Sequence, residues 1–170
     1  MRSIYTLKAR SLSGEHVSFK KYRGNVLLVV NIASNCVFAP QLGQLQELYQ
    51  RFRSQGFTVL GFPSDQFHQE LDAHEAIMVF CKRNFGVTFP LFEKVWVNGK
   101  HAHPLFHFLT YQQPALAGNR EIKWNYTKFL LNRQGIPVGR YPWFFSPGKL
   151  APAIASLLKS PVGVHEFCSL

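Results

Sequence analysis

The side chain best suited to covalent chemistry in this 170-residue chain is Cys36, near the end of the stretch Val26 to Pro40, VLLVVNIASNCVFAP. Val26 to Val30 is β-branched and leucine-rich without alternation, the pattern of a strand buried on both faces in a parallel or mixed sheet. From Gln41, the residues Leu42, Leu45, Leu48, Tyr49 and Phe52 recur at helical spacing, and Pro40 stands where a helix accepts proline, near its first turn. Cys36 is therefore predicted in a strand-to-helix loop. Free backbone N–H groups and the positive end of a helix dipole gather in such a loop, and both favour thiolate over thiol. A reactive sulfur is the chemistry this position would supply, with a small buried hydrophobe as the alternative that the residue type leaves open. His101, His103 and His107 also cluster, but Pro104 falls among them and no acidic or cysteine ligand lies near in the chain, so no metal site is read there.

Several elements must position Cys36. Ile4 to Ala9 and His16 to Phe19 alternate around Ser13-Gly14 and predict an N-terminal β-hairpin. Gln55-Gly56 ends the helix that begins at Gln41, and Phe57 to Phe62 is a second buried strand. Strand, helix and strand make a right-handed crossover with parallel strands, which brings Cys36 and the loop from Pro63 to Glu70 to one sheet edge. Glu75 to Asn84 is predicted as a helix with Ile77, Phe80 and Cys81 on its apolar stripe. Leu91 to Val97 is predicted as a strand, Asn98-Gly99 as a turn, Pro104 to Leu109 as a helix and Gln112 to Asn119 as a loop. Tyr126 to Leu131 and Ile136 to Tyr141 form an antiparallel hairpin around Asn132 to Gly135, and Pro147 to Leu158 is a closing helix. The fold class is α/β, a central mixed sheet flanked by helices.

The length favours a single domain over residues 1–170, with the tail from about residue 160 read as mobile. The opening residues lack the apolar core of a secretory signal, and no stretch approaches the roughly 20 apolar residues of a membrane span, so the expected compartment is the cytoplasm. Three cysteines, an odd number, argue against a disulfide scaffold and for free or redox-active thiols. The formal charge of +10 calls for something acidic. The basic residues are scattered, without the run that marks a nucleic-acid tail, so no nucleic-acid partner is read from them. An acidic protein reductant or an anionic membrane surface fits better, beside the plain alternative of a solvated basic surface.

Four ordered blocks give the chain a resemblance to the glutathione peroxidase family. They are Val30 to Ala39, VNIASNCVFA; Gly61 to Phe67 followed by Gln69-Glu70; Phe80 to Pro90, FCKRNFGVTFP; and Lys123 to Leu130, KWNYTKFL. The resemblance runs from about Ile4 to about Leu158. It implies a thioredoxin-like fold and a thiol-dependent peroxidase, with Cys36 as nucleophile and Gln69, Trp124 and Asn125 as the groups surrounding it. Taken alone, Trp124 could be core, Asn125 a turn residue and Gln69 solvated surface. In the cysteine-based branch of the family a second cysteine in the block Phe-Cys-Lys-x-Asn condenses with the oxidised nucleophile, and Cys81 stands at that position. Cys168 has no family counterpart.

The implied cycle converts hydrogen peroxide or lipid hydroperoxides through a Cys36 sulfenic acid and a Cys36–Cys81 disulfide, without selenocysteine or any other cofactor. Thioredoxin is the implied reductant, with glutathione as the alternative. The short segment from Gln112 to Asn119 lacks the longer insertion of tetrameric members, which implies a monomer with an open active edge. The chain departs from the family pattern at Val37, Ala39, Ser64, Asp65 and Leu71, and one residue is missing before Gln69. A conformational change beside Cys36 and a weakened site are the expectations from those departures, and they keep open a second class of function, a redox sensor passing oxidation from Cys36 to a partner.

Overall fold

The central strand β3, Val26–Ile32, has no residue exposed by more than 1%. The computed structural model describes residues 3–161 and places β3 inside a four-stranded sheet of order β4-β3-β5-β6, in which β4 is Phe57–Pro63, β5 is Lys128–Leu131 and β6 is Pro137–Tyr141. β4 runs parallel to β3 and pairs with it from Val26 opposite Phe57 to Ile32 opposite Pro63. β5 runs antiparallel on the other side, from Leu27 opposite Leu131 to Val30 opposite Lys128. These directions are consequential: β3 and β4 end, and β5 begins, at the same edge of the sheet.

Alternation along β3 divides the core in two. Val26, Leu28, Val30 and Ile32 pack with Leu42, Leu45 and Phe52 of helix α1 (Gln41–Phe52), Ile77 and Cys81 of α2 (His74–Phe85), and Ile154 of α4 (Ala151–Lys159). Leu27 and Val29 face the opposite way, toward Phe19, Phe62, Phe92 and the apolar stripe Leu105, Phe106 and Leu109 of α3 (Pro104–Gln112). Phe62 stacks on Phe92 with ring centroids 4.5 Å apart and meets Phe106 edge-on at 5.6 Å, arrangements that add to the area these rings remove from water. This is the thioredoxin-like α/β sandwich that the sequence leads one to expect.

Three expectations are corrected. The N-terminal hairpin is shorter: only β1 (Lys8–Arg10) and β2 (His16–Ser18) pair, while Ile4–Thr6 and Phe19–Tyr22 coil into single 3-10 turns. Leu91 to Val97 is not a strand. Its backbone splits its hydrogen bonds between two neighbours, Phe92 N–H and Val95 N–H going to Gly61 and Pro63 of β4, and Glu93 N–H to Arg10 of β1. A segment that serves β1 and β4 by turns makes isolated bridges and no continuous ladder. The closing helix also begins later than expected, Pro147–Leu150 forming a 3-10 turn ahead of α4. Cys168 and the rest of the tail from 162 lie outside the described residues.

The histidine cluster has a structural use. His103 is the N-cap of α3: its Nδ1 accepts the Leu105 N–H at 3.1 Å, and burial lowers its pKa. A protonated Nδ1 cannot accept that bond. The folded protein thus resists a proton that the unfolded chain takes up near pH 6.5, so the contribution is complete above that value and is lost as pH falls below it toward the folded-state pKa. His103→Ser keeps a capping oxygen but no titrating group, and in denaturant titrations from about pH 7 to about pH 5 it should remove part of the acid-side loss of stability. An unaltered pH dependence counts against the cap.

Candidate active site

Three loops meet at the shared sheet edge. The first leaves β3 at Ile32 and turns through Cys36 into α1: the Ala39 N–H donates to the Cys36 carbonyl and the Gln41 N–H to the Phe38 carbonyl, both at 2.9 Å. Pro40 already has helical backbone, with φ −56° and ψ −18°, so the turn feeds the helix without a break. Cys36 is 5% exposed, and the Phe38 N–H donates to its Sγ at 3.4 Å. The substitution at Val37 does not distort this loop. Val37 has no left-handed backbone that would need glycine, and its side chain points outward, 80% exposed.

The second loop leaves β4 at Pro63. It turns back at His68, whose N–H donates to the Asp65 carbonyl at 2.9 Å and whose φ is +57°. Asp65 also accepts the Glu70 N–H through its carboxylate at 3.3 Å. This loop is strapped to the first by two hydrogen bonds, Asn35 N–H to the Gln69 carbonyl at 2.8 Å and Ser34 N–H to Glu70 Oε1 at 3.0 Å. Gln69 is thereby joined to the residue next to Cys36.

The third loop carries Trp124 and Asn125 into β5. Asn31 of β3 holds it: its Nδ2 donates to the Trp124 carbonyl at 3.3 Å, and its carbonyl accepts the Tyr126 N–H at 2.7 Å. Tyr126 adopts φ +70°, a costly conformation for a bulky side chain, and is fully buried with its hydroxyl donating to the Ala33 carbonyl at 2.8 Å. The Asn125 side chain, also fully buried, donates from Nδ2 to Gln69 Oε1 at 3.3 Å. Trp124 packs on Phe67 with ring centroids 5.2 Å apart. Gln69 and Asn125, distant in sequence, are thus in direct contact, and both loops bearing them are fastened beside Cys36. Lys128 completes the edge from below, its buried Nζ donating to the carbonyls of Tyr126 at 2.6 Å and of Pro142 and Trp143 at 3.4 Å, while Gln41 ties the same Trp143 carbonyl to the start of α1. Burial lowers Lys128 to about 7.

Cys81 lies on α2 in the same core cluster as Cys36 and is 1% exposed. Both sulfurs act on one group: burial raises the Tyr126 hydroxyl well above its usual value, and charge on Cys81 and on Cys36 would raise it further. Burial, reinforced by the Glu70 carboxylate, pushes the Cys81 thiol up to about 12. With α2 in place Cys81 is a neutral thiol. The helix is lightly held, however, with only Ile77 and Cys81 fully buried and no side chain capping its N-terminus at Ala73. Such an element belongs to the low end of local stability.

Asn31, Glu70, Tyr126 and Lys128 escape a reading that looks for reactive side chains. The available signals are a polar residue inside the apolar run VVNI and a lysine opening the strand KFLL. Among the described residues no three His, Cys, Asp or Glu side chains gather to hold a metal ion, and no helix is long and apolar enough to cross a membrane. A cavity of about 990 Å³ is lined by residues such as Ser3, Gln66, His107 and Tyr111 and by neither Cys36 nor Cys81. A smaller groove of about 550 Å³ runs past Lys123 and Thr127, which flank Trp124 and Asn125, to Leu116, Trp143 and Phe144.

Comparison with known proteins agrees with this geometry. Residues 4–110 match the family described as glutathione peroxidase. The glutathione peroxidase homolog BsaA of Halalkalibacterium halodurans is 52% identical over 157 residues, covering 92% of this chain and 99% of that protein. The hydroperoxy fatty acid reductase gpx1 of Synechocystis is 51% identical over 162 residues, covering 92% and 96%. A crystal structure of Trgpx in apo form superposes with a TM-score of 0.79 at 35% identity, covering 95% of this chain and 99% of that one. A buried cysteine at the carboxyl edge of a thioredoxin-like sheet and matches of this extent lead to one conclusion: the chain belongs to the glutathione peroxidase family and is a peroxidase.

Proposed function

We propose that this protein reduces hydrogen peroxide and organic hydroperoxides through Cys36 and Cys81, and that a thioredoxin-type dithiol returns it to the reduced state. The Cys36 thiolate attacks the terminal peroxide oxygen: an S–O bond forms, the O–O bond breaks, and the departing alkoxide or hydroxide takes a proton and leaves as alcohol or water. Gln69, Trp124 and Asn125 supply amide and indole N–H groups for the negative charge that develops as the O–O bond breaks. Cys81 then attacks the Cys36 sulfenic acid, forming the disulfide and releasing water. The observation that carries this reading is the placement of both thiols in one core cluster, with Cys81 on a helix that has two fully buried side chains and no side-chain cap at its N-terminus.

An internal disulfide is opened naturally by a second dithiol, and the charge of +10 suits an acidic protein reductant. The groove that passes Lys123 and Thr127, with Leu116 and Phe144 exposed along it, suits the acyl tail of a lipid hydroperoxide. We read the protein as a monomer acting in a reducing compartment such as the cytoplasm.

Peptide mapping after one equivalent of peroxide should find Cys36 joined to Cys81, and Cys36→Ser should abolish turnover. Linkage of Cys36 to Cys168 alone overturns the cysteine pair, while faster steady-state turnover with glutathione than with a dithiol protein overturns the choice of reductant. Ala substitution at Trp124 or Asn125 should slow Cys36 oxidation tenfold or more, about 1.4 kcal/mol of transition-state stabilisation. An unchanged rate favours a sensor that forms sulfenic acid without a catalytic set.

The lightly held α2 makes a further prediction. Ala73 has the extended backbone of an N-cap, φ −89° and ψ 136°, but no capping oxygen. Ala73→Ser should stabilise α2 by about 1 kcal/mol and, since Cys81 must leave the helix to reach Cys36, slow disulfide closure about fivefold without slowing Cys36 oxidation. Equal closure rates in the two proteins, measured by rapid quench, mean that α2 does not unwind from its N-terminus.

A further inference from the structure

The Cys36 loop has two ends, and the turn bearing Trp124 and Asn125 is fastened to both. At the end that leaves β3, Asn31 Nδ2 donates to the Trp124 carbonyl at 3.3 Å and the Tyr126 hydroxyl to the Ala33 carbonyl at 2.8 Å. At the end that enters α1 the fastening is indirect. Gln41, the first residue of the helix, donates from Nε2 to the Trp143 carbonyl at 2.7 Å, and Lys128 Nζ donates to the same carbonyl at 3.4 Å. Lys128 Nζ also donates to the carbonyl of Tyr126, the residue after Asn125, at 2.6 Å. A continuous path of hydrogen bonds thus runs from α1 through the Trp143 carbonyl and Lys128 to the turn.

Lys128 is a costly residue for this place if packing is its only duty. It is buried, as no other lysine or arginine is among the described residues, and none of the ion pairs there includes it. An ammonium taken out of water without a counter-charge is strongly disfavoured, and burial accordingly lowers its pKa to about 7. In the strand KFLL a methionine would fill similar space without that cost. What methionine lacks is donors. An ammonium carries three N–H groups on one atom, and three carbonyls, those of Tyr126, Pro142 and Trp143, accept from this one. The Tyr126 carbonyl belongs to a residue with φ of +70°, a conformation that persists only where its surroundings hold it. The desolvated cation and the strained turn therefore meet in one hydrogen bond.

We propose that Lys128 is a positioning residue for the oxidation of Cys36: through the Trp143 carbonyl that it shares with Gln41, it sets the turn carrying Trp124 and Asn125 against the α1 end of the Cys36 loop. Its part in the reaction is indirect. It keeps the N–H donors of the turn where negative charge develops as the O–O bond breaks, and a displacement of about 1 Å is enough to forfeit much of such an effect.

This inference rests on the reading of Cys36 as a nucleophile served by Trp124 and Asn125, and the experiment separates their failures. Lys128→Met removes all three donors and keeps a long, unbranched side chain. Second-order oxidation of Cys36 by hydrogen peroxide, followed by rapid quench and mass spectrometry, should slow about tenfold or more. Adding Asn125→Ala to that variant should slow it by no more than about a further twofold, because the turn is already displaced. Alkylation of Cys36 by iodoacetamide, which breaks no O–O bond, should keep its rate within about twofold of the parent. An unchanged oxidation rate in Lys128→Met, with Asn125→Ala alone slow, overturns the role of Lys128. Losses that multiply in the double variant, or alkylation that slows as much as oxidation, mean a general loosening and overturn it too. Asn125→Ala with an unchanged rate overturns the catalytic reading of the turn and this inference with it. Should Lys128→Met fail to fold, Gln41→Leu breaks the same path from the α1 end: oxidation should slow about threefold or more, and an unchanged rate overturns the proposal.

Discussion

A fully buried strand whose two neighbours run in opposite directions is the constraint on which the molecule depends. β3 has water on neither face, so its side chains must be apolar almost throughout, and Asn31 is the exception. With β4 parallel and β5 antiparallel to it, the chain leaves β3, leaves β4 and enters β5 at a single edge. No other combination of directions would bring those three loops together. Slipping β3 by one residue would exchange its two faces and turn the side chains that now meet α1, α2 and α4 toward α3 and the hairpin.

Convergence of loops creates a polar problem inside an apolar frame. Buried backbone groups beyond the last ladder bond must find partners or cost about 1–3 kcal/mol each. The edge answers with side chains from the elements themselves. Asn31 serves the Trp124 carbonyl, Tyr126 the Ala33 carbonyl, Glu70 the Ser34 N–H, and Lys128 three carbonyls at once. Apart from the local Lys128–Tyr126 bond, each of these bonds joins segments distant in the chain, so satisfying the backbone and fixing the site are the same act. The contact of Gln69 with Asn125 is a product of that fastening, since the loops are held whether or not those two side chains touch.

Against this rigid edge stands α2. Its glycine at position 86, with φ +62°, closes the C-terminus by returning its N–H to the carbonyls of Cys81 and Lys82, but the N-terminus at Ala73 has no side-chain cap, and only Ile77 and Cys81 are fully buried, with Phe80 and Phe85 partly buried against the same core. Ile77, worth about 1.5–3 kcal/mol by its burial, is the larger of the two fully buried side chains of this helix.

The strands and helices bearing the apolar pattern were legible in the residues themselves. An unbroken run such as VLLVV and a heptad-like spacing such as that from Leu42 to Phe52 have few physical solutions, and the observed β3 and α1 are those solutions. Cys36, after such a strand and before such a helix, was locatable for the same reason. Leu91 to Val97 was misread because strand propensity is local, whereas a ladder requires one neighbour along its length, and this segment has two. The Val37 substitution looked disruptive because a change of residue type reports lost freedom, whereas the loop needed none at that position. Tyr126 in a left-handed turn, Glu70 with one oxygen bound and one alone, and Lys128 beneath the turn carry no periodicity and no motif of their own. Their roles follow from hydrogen-bonding needs that arise only when three distant loops are brought to one edge. Sequence could therefore determine the frame and the position of Cys36 in it, while tertiary structure alone decided which buried polar groups surround them.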